Sequence, residues 1–143
     1  MDSWRQPSGI YAHASYSLLI YRNLTLDAYS RVIALATGAG IAPCLPQIDN
    51  ASSNIYLLWI AKNHETAYGP EVWNIVSKLP SEQSFLHDTA KMGRPNSAEM
   101  IQKAVRKHNA EAVFVVSNDR YTKAIIGVCW RLGIRCYGAT RDS

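Results

Sequence analysis

The residues whose spacing carries the most chemistry lie between Arg31 and Pro46, in RVIALATGAGIAPCLP, where an apolar run breaks into a glycine turn followed by a proline. A turn of this kind is suited to an anion. Glycine reaches positive φ and lets backbone N–H groups approach a phosphate closely, and the amino end of a helix draws negative charge. Pro43 is suited to the first turn of that helix. Thr37, Gly38, Ala39, Gly40, Ile41 and Pro43 are therefore the candidate cradle of a nucleotide diphosphate. Two cationic positions could complete it. Lys62 follows the next apolar run and could meet an adenosine ribose or its phosphate. Arg94 stands beside the rigid Pro95, an arrangement suited to bidentate phosphate binding.

Each of these positions also has a plainer role. Gly38 and Gly40 would serve a tight strand-to-helix turn in a protein that binds nothing, Lys62 and His64 a solvated loop, and Arg94 a surface turn. Asn118 and Asp119 are residue types that cap helices, with Asp119 the favoured cap. Cys44 reads as a core thiol, although a helix amino end would lower its pKa. Trp59, Trp73 and Trp130 read as packing residues.

The elements that must position these residues follow from hydrophobic pattern. Short apolar runs at 31–36, 54–61, 84–88, 112–117 and 134–138 alternate with helical segments, the signature of a parallel sheet with crossover helices. Residues 70–79 place Val72, Trp73, Ile75, Val76 and Leu79 so that one helix face is apolar, and Pro80 stops that helix. A second helix is capped by Asn96 or Ser97, and a third over 120–132 ends at Gly133. The expected fold is α/β, a three-layer α/β/α sandwich with a five-stranded parallel sheet in the order 3-2-1-4-5, with ligands at the carboxyl ends of the strands. Residues 1–30, with Trp4, Tyr11, Tyr16 and Tyr21, are expected to form an irregular or partly helical arm.

Composition narrows the function. With 143 residues, 48% hydrophobic and 18% charged, the chain suits one globular domain, and no apolar run approaches the length of a membrane helix. The formal charge of +4 is scattered along the chain, so nucleic acid is not the expected partner. Cys44, Cys129 and Cys136 lack CxxC spacing and read as reduced core thiols, and the four histidines lack metal-ligand spacing. The start MDSWRQPSG has neither the basic nor the apolar segment of a secretory signal, which makes the cytoplasm the expected location.

A dinucleotide fingerprint has a third glycine, and an acidic residue about twenty positions later. Here Pro43 takes the glycine's place, and no carboxylate follows the second run before Glu65, which argues against an ordinary NAD dehydrogenase and against a methyltransferase. GAGIAP instead resembles the GxGxxP loop of the ferredoxin-NADP reductase superfamily. GRPN, at 93–96, is similar to the glycine-arginine-proline motif of ferric reductases and NADPH oxidases in that superfamily. AVFVVSNDRYTKAI is placed like the strand that ends in Cys-Gly-Pro before the last helix. Taken in order, TGAGIAPCLP, KMGRPN and VFVVSN resemble the nucleotide-binding portion of fungal membrane flavoproteins of the TmpA type.

The resemblance implies that residues 31–143 form an NAD(P)-binding domain of ferredoxin-reductase type. It implies that Thr37 to Pro43 face the pyrophosphate and nicotinamide, and that Ser117 and Asn118 stand where the superfamily has Cys-Gly. That exchange bears on hydride transfer. The flavin-binding barrel signature is not reproduced by 11–16 or by Tyr21 and Arg22, and the end at Arg141, Asp142 and Ser143 lacks the terminal aromatic that covers the flavin. The cofactor implied is NADP or NAD, with FAD reached only through a separate domain or a flavin-bearing partner, at a membrane's cytoplasmic face if that partner is membranous. The alternative is a non-catalytic remnant acting as a nucleotide sensor or protein-interaction module.

Overall fold

In the computed structural model the described residues are 29–49 and 54–140, with the side chains of Ala139 and Thr140 left aside. The expected arm over 1–30 lies outside them except for Tyr29 and Ser30, as does the chain end from Arg141.

Strands β1 (Val32–Thr37), β2 (Ile55–Ala61), β3 (Ser84–Asp88), β4 (Ala112–Ser117) and β5 (Arg135–Thr140) make one sheet in the order β3-β2-β1-β4-β5. Every pairing is parallel. All seven residues of β2 and all six of β4 are buried, because a strand covered on both faces has no solvent side on which to place a polar residue. Alternate residues then divide between two cores. Ala34, Leu57, Trp59 and Phe114 pack on one face, and Ile33, Leu35, Leu58 and Val115 on the other.

Helices α1 (Leu45–Asp49), α2 (His64–Ala67), α3 (Pro70–Val76), α4 (Thr89–Met92), α5 (Ser97–His108) and α6 (Asp119–Leu132) complete the layers. Ile48 of α1 and Val76 of α3 enter the first core, while Ile101 of α5 and Ile125 of α6 enter the second. Tyr29 joins the first core beside Phe114 and Tyr137.

The long helices end where their sequences say. Asn96 Oδ1 accepts the Glu99 N–H at 3.1 Å to open α5. Gly133, at φ 72°, closes α6: the Gly133 and Ile134 N–H groups return to the Trp130 and Cys129 carbonyls, which satisfies two otherwise orphaned acceptors.

Four expectations need correction. Pro43 does not open a helix; it lies inside a 3-10 segment, Gly38–Cys44, which runs into α1. The helix expected over 70–79 stops at Val76. Asn118, and not Asp119, caps α6, its Oδ1 accepting the Tyr121 N–H at 2.8 Å, while Asp119 pairs with Lys123 at 3.2 Å. Trp130 is no packing residue, being 62% exposed on the outer side of α6.

Candidate functional site

Because all five strands run the same way, their carboxyl ends share one edge of the sheet, and the turns that carry most of the candidate residues leave from it. Thr37 ends β1 and Ser117 ends β4, its neighbour, and their hydroxyls hydrogen-bond to each other. Thr37 is the N-cap of the 3-10 segment, yet its side chain makes no capping bond, so it leaves the turn's amino end uncapped.

Two contacts fix the turn. Gly38 adopts φ +51°, and its carbonyl accepts the Trp59 indole N–H at 3.0 Å from the interior of β2. Gly40 lies against β4 so closely that a Cβ there would run into the Val116 carbonyl oxygen. The second glycine is thus required by packing against the sheet. The first is required by its backbone conformation.

Ile41 is buried in the first core, so only its backbone is left to meet a ligand, while Ala39 is exposed and Pro43 half-buried. Cys44 is inert: burial pushes its thiol up to about 12, and its sulfur faces the Gly40 carbonyl at 3.9 Å.

The sequence reading missed the wall of this turn. Trp59 stacks edge-on against buried His64, with centroids 4.6 Å apart, and His64 Nε2 donates to the Trp59 carbonyl at 2.9 Å. Tyr68 packs on Trp59 at 5.3 Å, and its hydroxyl lies 3.5 Å from where a Cβ on Gly38 would stand. A tryptophan two residues from the end of a buried run was the available signal.

Lys62 is exposed just past β2, followed by Asn63 in the left-handed conformation at φ 56°. Asp88, also missed, links the ends of β2 and β3: its Oδ1 accepts the Asn63 N–H at 3.3 Å and the Ala90 N–H at 2.9 Å. Desolvation alone would raise this carboxyl, but those two N–H groups, with His64 and Lys91 nearby, bring it below the usual carboxylate range. Asp88 is therefore an anion at this edge. Gly93 turns the chain at φ 72°, and its carbonyl accepts from His87 Nε2 at 2.8 Å. Arg94 beyond it is exposed and Pro95 half-buried. Neither Lys62 nor Arg94 forms an ion pair with a described residue.

The structure thus brings Thr37, Gly38, Gly40 and Ser117 into contact or close proximity, and sets Lys62, Arg94 and Asn118 on other turns. Asn118 Oδ1 is engaged in its cap. Among the described residues no group of three or more His, Cys, Asp or Glu could hold a metal ion, and no helix is long and apolar enough to cross a membrane.

Comparisons with known proteins agree with this architecture. A family model described as adenylate-forming reductase 03009, C-terminal domain, matches residues 23–143. Adenylate-forming reductases 06235 and 03009 of Coprinopsis cinerea are each 31% identical over 115 residues, covering 80% of this chain. The chain spans only 11% of the length of either relative. Among solved structures, a mutant of ferredoxin-NADP+ reductase from Plasmodium falciparum in complex with 2'P-AMP aligns with TM-score 0.51 at 12% identity, covering 85% of this chain and 54% of that one. That likeness establishes a shared α/β fold, in line with the five-stranded parallel sheet.

Proposed function

Since the chain belongs to the family of adenylate-forming reductase C-terminal domains, we propose that it is the pyridine-nucleotide-binding domain of an NAD(P)H-dependent oxidoreductase. The observation that carries the reading is the turn Gly38–Cys44 at the carboxyl edge of β1, held by Trp59 and Val116 and left uncapped by Thr37. In a doubly wound sheet this is where phosphate-bearing ligands bind.

In this proposal the backbone N–H groups of Gly38, Ala39, Gly40 and Ile41 bind the diphosphate, with Pro43 shaping the turn. Lys62 and Arg94, with Pro95 stiffening its turn, bind the adenosine phosphate, which favours NADP over NAD. The structural neighbour's complex with 2'P-AMP supports that preference. The bound nucleotide supplies a hydride. Thr37 and Ser117, joined through their hydroxyls, form the floor on which the nicotinamide rests. The acceptor is a flavin carried by a separate domain or partner, and a chain spanning 11% of its relatives leaves ample length for one there.

One observation favours a second reading, binding without hydride transfer. The Ser117 hydroxyl is taken by Thr37 and the Asn118 side-chain carbonyl by the Tyr121 N–H, which leaves Ser117 poorly placed to polarise a nicotinamide. Such a domain would act as a nucleotide sensor or interaction module.

Calorimetric titration with NADPH, NADH and 2'P-AMP tests the proposal. Saturable heat with NADPH, weakened by Lys62→Ala or Arg94→Ala, is the expected result; no binding at millimolar ligand overturns it. Oxidation of bound NADPH after adding FAD and ferricyanide separates the two readings, since the sensor leaves the nucleotide reduced.

A further inference from the structure

On the face of the sheet opposite the core that holds Trp59 and Ile41, a cleft of about 330 Å³ opens between the edge strand β3 and helix α5. Its lining follows the helix from Asn96 to Lys107, a span of about 16 Å at the usual rise. Leu58 and Met100 line it with apolar atoms, and Phe85, 39% exposed, stands on its strand side.

The polar groups gather toward the far end of the helix. Tyr56 lines the cleft with only 4% of its surface exposed, and its hydroxyl makes no hydrogen bond to a described residue. With no such bond, the hydroxyl keeps its contact with solvent in the cleft and is an available donor. Burial raises the Tyr56 pKa, so the hydroxyl stays a neutral donor. The Lys107 ammonium lies over the same ring, 5.9 Å from its centroid. Lys103, one helical turn earlier, is held only loosely by Glu99 at 3.9 Å, with both side chains largely exposed. Two cations and an unpartnered donor therefore meet an elongated apolar channel.

We propose that this cleft binds an amphipathic organic anion, an extended aliphatic chain ending in a carboxylate, with the chain along Leu58 and Met100 and the carboxylate on Tyr56 and Lys107. The volume is at the small end of ligand pockets, and the few convergent polar groups at one end would fix the ligand's direction. The site is separate from the glycine turn and does not rest on the proposed function.

Decanoate is the probe and decanol the uncharged control. The expected result is saturable binding of decanoate by calorimetry, with decanol at least about tenfold weaker, as a charge-assisted contact requires. Tyr56→Phe and Lys107→Gln should each weaken decanoate about fivefold or more with Tm unchanged. Lys107 is exposed, so its variant reports on the site even if Tyr56→Phe disturbs folding. Saturation with NADPH should leave decanoate affinity as it was. Absence of saturable binding at millimolar decanoate, equal binding of decanol, indifference to both substitutions, or competition with NADPH would each overturn the proposal. Failure of NADPH itself to bind bears only on the glycine turn.

Discussion

The Trp59 indole N–H and the Gly38 carbonyl, 3.0 Å apart, join the interior of β2 to the first residue of the turn after β1. The bond holds Gly38 at its positive φ and so sets the direction in which the following peptides leave the strand. Trp59 is fully buried.

Trp59→Phe keeps an aromatic ring while removing the donor. It leaves the Gly38 carbonyl without its partner and opens space beside His64, which should cost about 2–3 kcal/mol. Denaturant unfolding measures that loss. If the turn binds the nucleotide, calorimetry on the folded variant should also show NADPH affinity falling severalfold.

The two glycines of the turn should respond differently to the same methyl group. At Gly40 an added Cβ meets the Val116 carbonyl, which belongs to a buried strand and has nowhere to move. At Gly38 the nearest atom is the Tyr68 hydroxyl at an ordinary 3.5 Å, and the cost is that of a positive φ. Gly38→Ala should therefore lose about 1 kcal/mol, and Gly40→Ala about 3 kcal/mol or fail to fold. Comparing urea midpoints decides it, and equal losses would show that the loop yields freely.

Strands were legible in this chain because a parallel strand buried on both faces leaves an unbroken apolar run, and β4 begins and ends at the residues that pattern marks. The α/β alternation marked a parallel sheet with crossover helices, a pattern compatible with more than one strand order. Helices α2 and α4, four residues each, are too short for any 3.6-residue period to register. At the candidate site, the glycine turn was visible because its residue types are unusual. Its fastenings were not, since Trp59 reaches Gly38 and Thr37 reaches Ser117 only after β1 is seated between β2 and β4. Trp130 failed for a related reason: a large apolar side chain looks the same in sequence whether its helix face meets the sheet or solvent.

A buried hydroxyl without a partner offers a test of packing alone. Thr122 is fully buried in the first turn of α6, and its Oγ1 has no hydrogen-bond partner. Valine has the same shape and removes the desolvated oxygen. Thr122→Val should raise stability by about 0.5–1.5 kcal/mol, a few degrees in Tm. A drop in Tm on calorimetric scanning would mean that an acceptor or water satisfies the hydroxyl in solution.

Glu111 gives the stability a defined pH dependence. Its Oε1 accepts the Arg31 N–H at 3.0 Å and the Ser30 N–H, and these backbone donors, with the Arg31 charge, hold its pKa below the usual carboxylate range. The unfolded chain, with an ordinary glutamate near about 4.3, binds this proton more readily than the folded one. The stabilisation is therefore fully present above the unfolded pKa and lost as pH falls through the lower folded value. Glu111→Gln removes the titration while keeping an acceptor for the two N–H groups. Urea midpoints should show the wild type more stable than the variant at pH 7, with the gap closing toward pH 3. A gap that is constant over that range would mean that the carboxylate charge contributes nothing at the entry to β1.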